Sequence, residues 1–262
     1  MISDLQAQVE QLAQACGGTV SVCVRDIRNA LDLGYNEDAR MRSASTIKVP
    51  ILLEALRQAR DGELSLDKQF KMTPDLLCDG SGVLMHMSKG LVVTLQDLLT
   101  LMIIVSDNTA TNMAIDIVGM DKVNATMRSF GYTGTHLGRK MYDWADVDKG
   151  RDNFIVAKEA ADLMVRVTKG EALGGEWDEL ILKTMRGQQF TKLGMFFTEG
   201  LLANKTGGLD DVSNDFGTVT TDDFCYSIAV FTQCAPVMGE AKIAIGRISK
   251  AVFDAVSAGK SC

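Results

Sequence analysis

Apolar residues repeat along this chain with two periods, and the expected structure changes where the period changes. Near the start Leu5, Val9, Leu12 and Cys16 recur at helical spacing, and Ser3-Asp4-Leu5-Gln6 reads as a capping box opening that helix. From 19 to 27 the period falls to two: Val20, Val22 and Val24 alternate with Ser21, Cys23 and Arg25, which predicts a half-buried strand. Arg28-Asn29-Ala30 then turns the chain into a short strand over 31–36, closing an N-terminal hairpin. At the far end, 201–206 and 225–232 are strand-like. Over 240–257, Ala241, Ala244, Ile245, Ile248, Ala251, Val252, Ala255 and Val256 form one stripe, suited to a helix lying on a sheet. The middle has helical periodicity almost throughout. Helices are predicted over 46–60 with Gly62 as the stop, 94–105 capped by Thr94-x-x-Asp97, 109–118 with Gly119 beyond, and 157–168.

Strands at both ends with helices between predict an α/β protein of the α+β kind. An antiparallel sheet with flanking helices is built from 1–44 and 191–262 as one discontinuous domain, and 45–190 form an inserted all-helical domain. A site is expected in the cleft between them, where ligands usually bind.

Composition narrows the functions. With 262 residues, 46% of them hydrophobic, the chain can bury a large core as one domain or two interleaved ones. A net charge of −7 and a pI near 4.9 argue against a general nucleic-acid binder, which needs a basic face to displace counterions. The longest apolar run, 98–105, falls short of the roughly 18 residues that span a bilayer, and the first helix reads as structure rather than as a leader. The expectation is a cytoplasmic protein, or a periplasmic or secreted one if a leader has been removed. The six cysteines (Cys16, Cys23, Cys78, Cys225, Cys234, Cys262) form no Cys-x-x-Cys pair and read as free thiols. His86 and His136 are the only histidines and have no ligand spacing, so no metal and no cofactor are expected.

Chemistry enters with three motifs in one order: Ser45-Thr46-Ile47-Lys48, Ser106-Asp107-Asn108 and Lys205-Thr206-Gly207. Ser-x-x-Lys alone says little, since Ser65 with Lys68 and Ser257 with Lys260 repeat it in polar contexts. Ser106-Asp107-Asn108 alone suits a capping cluster between helices, and Lys205-Thr206-Gly207-Gly208 suits a strand ending in a glycine turn. Together they supply an acyl-transfer site. Ser45 and Lys48 share one face at a helix start, ahead of an apolar run that buries the helix; Pro50 in that run is tolerable because it falls near the first turn. A serine hydroxyl needs a base to become a nucleophile, and Lys48 serves only if neutral. Burial beside a second cation such as Lys205 would make it so.

The set resembles the penicillin-recognising serine hydrolases, in particular the class A β-lactamase branch, over essentially the whole chain. The resemblance implies that Ser45 is the acylated nucleophile, Lys48 its proton acceptor, and Ser106 a shuttle to the leaving group. It implies that Asn108 holds the substrate's side-chain amide. Lys205, Thr206 and Gly207 bind a small molecule carrying a carboxylate, and the backbone N–H groups of Ser45 and Gly208 form the oxyanion hole. Arg139 and Asp152 resemble the ion pair that pins the family's omega loop. That loop departs from the pattern: Met141 stands where the family carries the glutamate that activates the deacylating water. Tyr142 and Asp143 follow it, but their spacing does not assign either as a substitute. The arginine that often helps hold the carboxylate is absent from 226–232. The expected enzyme acylates readily and deacylates slowly. Weak β-lactamase, esterase, D-amino-acid peptidase and a covalent β-lactam-binding sensor all remain open; a protein that kept only the fold is disfavoured by the complete motif set.

Overall fold

A computed structural model describes residues 2–27 and 31–258. Helix α1 (Ile2–Ala15) leads into β1 (Thr19–Asp26), β2 (Asp32–Tyr35) and the short β3 (Arg40–Arg42). Then come α2 (Lys48–Arg60), the ribbon strands β4 (Gln69–Lys71) and β5 (Val92–Thr94), α3 (Leu95–Ile104), α4 (Asn108–Val118) and α5 (Met120–Ser129). The chain continues through α6 (Trp144–Asp148), β6 (Phe154–Val156), α7 (Ala157–Lys169) and α8 (Gly175–Arg186). It ends in β7 (Leu201–Gly208), β8 (Val212–Thr220), β9 (Cys225–Gln233) and α9 (Met238–Ala258).

One antiparallel sheet runs β2-β1-β9-β8-β7, so the first long strand pairs with the last. Its two faces are buried in different ways. Val20, Val22, Val24, Ile228 and Val230 pack into a cluster with Leu5 and Val9 of α1 and Ile245, Ile248 and Val252 of α9. The alternate positions Cys23, Ala229, Phe216 and Phe231 join the larger core that contains α2, α3, α4, α7 and α8. The strand over 19–27 is therefore not half-buried as its alternation predicts: Val20 through Val24 are all buried, because helices cover both faces. The mixed α/β class and the antiparallel sheet match the reading of the sequence. The segment 45–190 is not all-helical, however, since it holds the β4–β5 ribbon and lends β6 to pair with β3.

Local signals fare unevenly. Thr94 caps α3 in a full capping box with Asp97, Gly119 ends α4 at φ +90, and Gly62 follows α2 at φ +76. Ser3 is no cap, because it already lies inside α1 and its hydroxyl donates to Asp4. The Arg28-Asn29-Ala30 turn, Lys260 and Cys262 lie outside the described residues; the five described cysteines are thiols. Among the described residues no helix is long and apolar enough to cross a membrane.

Candidate active site

Ser45 lies in a single 3-10 turn, Ala44–Ile47, and the α-helix proper begins only at Lys48. The turn is tight. Ala44 holds φ +46, Thr46 Oγ1 donates to Ser43 O at 2.6 Å, and two buried asparagines grip it from outside. Asn214 of β8 donates Nδ2 to Arg42 O (2.8 Å) and Ser43 O (3.1 Å), while Ser43 N donates to Asn153 O at 2.9 Å. Gly207 of β7 runs against the same turn: a Cβ there would sit 2.8 Å from Ser43 O and 3.1 Å from Ser45 N. A side chain at 207 would push the sheet edge off the nucleophile's backbone.

Lys48 and Lys205 are both fully buried and meet at one hydroxyl. Lys48 Nζ donates to Ser106 O (2.7 Å), Ser106 Oγ (3.0 Å) and Asn108 Oδ1 (2.9 Å). Lys205 Nζ donates to Ser106 Oγ (3.1 Å) and Thr206 O (2.9 Å). Burial, and next the charge of Lys205, hold Lys48 well below the usual lysine range, with Asp107 and Cys78 opposing. Burial also brings Lys205 down to about 7, against the pull of Asp215. With one amine neutral, the Ser106 hydroxyl can donate to it while accepting from the other, so a proton has a continuous route between them.

The turn that carries Ser106 is held by its neighbour. Asp107 is buried, and its carboxylate accepts from Val83 N (2.7 Å), Leu84 N (2.8 Å) and Ala110 N (2.9 Å), stitching the single turn at Leu84–His86 to the start of α4. Ser106 itself sits at φ +57. Removing a buried acceptor strands its donors, so Asp107→Ala is expected to lower stability by about 3 kcal/mol, read from urea unfolding. A loss below roughly 1 kcal/mol would show that water replaces the carboxylate there.

A cavity of about 390 Å³ opens beside Ser45, lined also by Asn108, Gly208, Arg139, Met141 and Tyr142. Lys48, Ser106 and Lys205 lie behind that lining, joined to it through the Lys48–Asn108 bond. Thr206 is half-buried on β7 between Lys205 and Gly207. The loop across the cavity is closed by Arg139 Nε on Asp152 Oδ1 at 2.8 Å. Arg42 extends that pair, donating to Asp152 Oδ2 (3.0 Å) and to Asp211 (2.8 Å). Met141 is buried, its backbone paired in both directions with the Asn112 amide at 2.8 and 3.1 Å. The carboxylates lining the cavity among the described residues are Asp210 and Asp211. Asp143 is not one of them: its carboxylate caps α6 and it lines the neighbouring hollow. His136 pairs by its backbone with Phe154, and His86 is exposed outside the cavity.

Several residues here escaped the motifs. Asn153 braces the loop, accepting from Gly138 N and Arg139 N; Asn214 braces the nucleophile's turn. Lys192, lowered to about 8 chiefly by burial, donates to Gly207 O (2.7 Å) and Asn214 O (2.9 Å) and so supports the strand edge behind Lys205. Each is a polar residue in a polar stretch, and only its burial reveals it.

Sheet, helices and this grouping of serines and lysines define a penicillin-binding type of fold. A model described as the beta-lactamase enzyme family matches residues 4–256, and the chain belongs to that family of β-lactamase-like serine hydrolases. The crystal structure of a beta-lactamase from Sphaerobacter thermophilus superposes with a TM-score of 0.89 at 34% identity, covering 98% of both chains. A PBP-A mutant, solved as an acyl-enzyme complex with penicillin G, gives 0.87 at 26% identity, covering 97% of both. The chain spans about half the length of two curated relatives it matches. These are beta-lactamase L2 of Stenotrophomonas maltophilia (32% identical, 62% of this chain, 54% of that protein) and the beta-lactamase regulatory protein BlaB of Streptomyces cacaoi (28%, 52% and 44%).

Proposed function

We infer that the protein is a serine hydrolase that transfers the acyl group of a β-lactam, or of a related ester or amide bearing a carboxylate, to Ser45 and releases it slowly. The observation that carries this is the convergence of two buried lysines on the Ser106 hydroxyl, immediately behind the cavity that Ser45 lines. In this reading 1–44 and 191–262 supply the sheet side of the cleft and 45–190 the helical side. Neutral Lys48 takes the Ser45 proton as Oγ attacks the carbonyl carbon. The oxyanion accepts from the N–H groups of Ser45 and Gly208, each such donor lowering the barrier by about 2.7–4 kcal/mol. Ser106 passes its proton to the leaving nitrogen or oxygen as the acyl bond breaks, and is reprotonated from the lysine that received the Ser45 proton. Asn108 orients the side-chain amide, and Lys205, Thr206 and Gly207 hold the carboxylate.

Release is slow because Met141 occupies the place of a general base, and a thioether takes no proton from water. The same residue favours a second reading, a covalent sensor whose acyl-enzyme is the endpoint. A chromogenic cephalosporin and a panel of chromogenic esters separate the two: a hydrolase continues after the first equivalent, whereas a sensor stops at a single stoichiometric burst.

Lys205 also predicts a pH effect. Its ammonium attracts the carboxylate, and this amine has been lowered to about 7. The kcat/KM ratio of an anionic ester to its neutral methyl-ester analogue is therefore expected to be high below pH 6. It should fall about tenfold as the pH rises through 7 and the amine loses its charge. A ratio constant from pH 5.5 to 8.5 would remove Lys205 from carboxylate binding.

A further inference from the structure

The loop facing Ser45 brings two aromatic rings to the cavity, and neither is there as core. Tyr142 and Trp144 both line it, and each leaves 48% of its surface exposed. Their rings pack edge to face, with centroids 5.8 Å apart and planes at 65°, so the two present differently oriented apolar surfaces at the cavity lining.

Their placement is enforced. Tyr142 holds φ +63, a left-handed conformation that a residue with a Cβ adopts only when its surroundings require it. The clamps lie on either side: Met141 is fixed by the Asn112 amide, Trp144 N donates to Tyr142 O at 3.1 Å, and Asp143 caps the helix that follows. Gly80 makes the remaining room. A Cβ at that position would lie 2.5 Å from the Tyr142 ring and 2.7 Å from Asn108 Nδ2, so the missing side chain lets the ring lie beside Asn108.

The charges nearby select what such rings can take. The Arg139 guanidinium already stands 5.5 Å from the Trp144 ring centroid, and Arg42 lines the same cavity, so a cationic group is opposed. Asp210 and Asp211 oppose a second anion. A flat, neutral group that stacks is what remains.

We propose that Tyr142 and Trp144 form a platform at the mouth of the Ser45 cavity that binds a neutral aromatic substituent on the acyl portion of the substrate. This rests on the reading of Ser45 as the acylated residue and adds the substrate class that site prefers. The test compares two probes sharing one penicillin nucleus, one with a phenylacetyl and one with a hexanoyl side chain, by second-order acylation rates from intact-protein mass spectra. The wild type is expected to favour the phenylacetyl probe about tenfold, the upper range of one aromatic contact. Tyr142→Leu and Trp144→Leu are expected to bring the ratio of the phenylacetyl to the hexanoyl rate, measured within each variant, down to about one. Equal rates in the wild type, or variants that lower both probes alike, would overturn the platform.

If neither probe acylates, the reading of Ser45 fails and the platform is read separately by binding. Trp144 fluorescence in a Trp177→Phe background isolates one of the chain's two tryptophans. Tighter binding of the phenylacetyl probe upholds the platform without the acylation; equal binding overturns it.

Discussion

Met141→Glu is expected to speed loss of the acyl group from Ser45 by about 10²–10⁴-fold, the usual worth of a positioned general base. The side chain at 141 is well placed for this. It lines the cavity that Ser45 lines, and its backbone is locked by Asn112 on both sides, so a carboxylate side chain of similar length starts from a fixed Cα. Of the carboxylates near Ser45, Asp210 is exposed in the turn after β7. Asp211 is committed to Arg42, and Asp143 faces the adjacent hollow. The measurement is the decay of the acyl-protein mass after excess penicillin is removed. Acylation itself should change little, because the hydrogen bonds of Lys48 and Lys205 run to Ser106, Asn108 and Thr206 rather than to Met141. If deacylation is no faster in the glutamate variant, position 141 is not where the water is activated.

Lys48→Ala should lower acylation by about 10²–10⁴-fold for every substrate, because it removes the only amine three residues from Ser45 in the same turn of chain. Lys205→Ala should instead act mainly on substrates bearing a carboxylate. That contrast separates a base from an anchor, although both amines touch the same hydroxyl. Lys48→Ala also leaves Ser106 O and Asn108 Oδ1 without their donor while relieving the burial of an amine. A melting curve therefore accompanies the kinetics, to separate a weakened fold from a disabled site. An acylation rate within threefold of wild type in a folded Lys48→Ala protein would assign the base elsewhere.

How much of this was legible in the sequence depended on whether a residue's role follows from local spacing. Helices α2, α3, α4, α7 and α9 and strands β1, β7 and β9 carry periods and caps that act within a few residues, and they stood out. Strand β8 did not. Ser213, Asn214, Asp215 and Thr218 break its apolar pattern, yet all four are buried, and two of them serve partners distant in the chain. Asn214 reaches the turn at Ser43, and Asp215 accepts from Lys192 N, Leu193 N and Asn204 Nδ2. Helices α5 and α8 were missed for a different reason: their exposed faces are highly polar, so only narrow apolar stripes remain to be read.

At the site, Ser45, Lys48, Ser106, Asn108 and Lys205 were found because their motifs recur as a set. The Arg139–Asp152 pair came with the resemblance, but its extension through Arg42 to Asp211 and the brace from Asn214 to Ser43 join segments more than a hundred residues apart. No local pattern announces such a contact. Three of the five non-glycine residues with positive φ among the described residues, Ala44, Ser106 and Tyr142, flank the cavity, so backbone strain concentrates where the chemistry is placed.

The most direct test follows the intact mass of wild-type protein and of Ser45→Ala after addition of one equivalent of penicillin G. The wild type should gain the mass of the whole penicillin within the mixing time and keep it for many minutes, while Ser45→Ala stays at its starting mass throughout. A wild type that never gains that mass, or a Ser45→Ala protein that does, would contradict acyl transfer to Ser45.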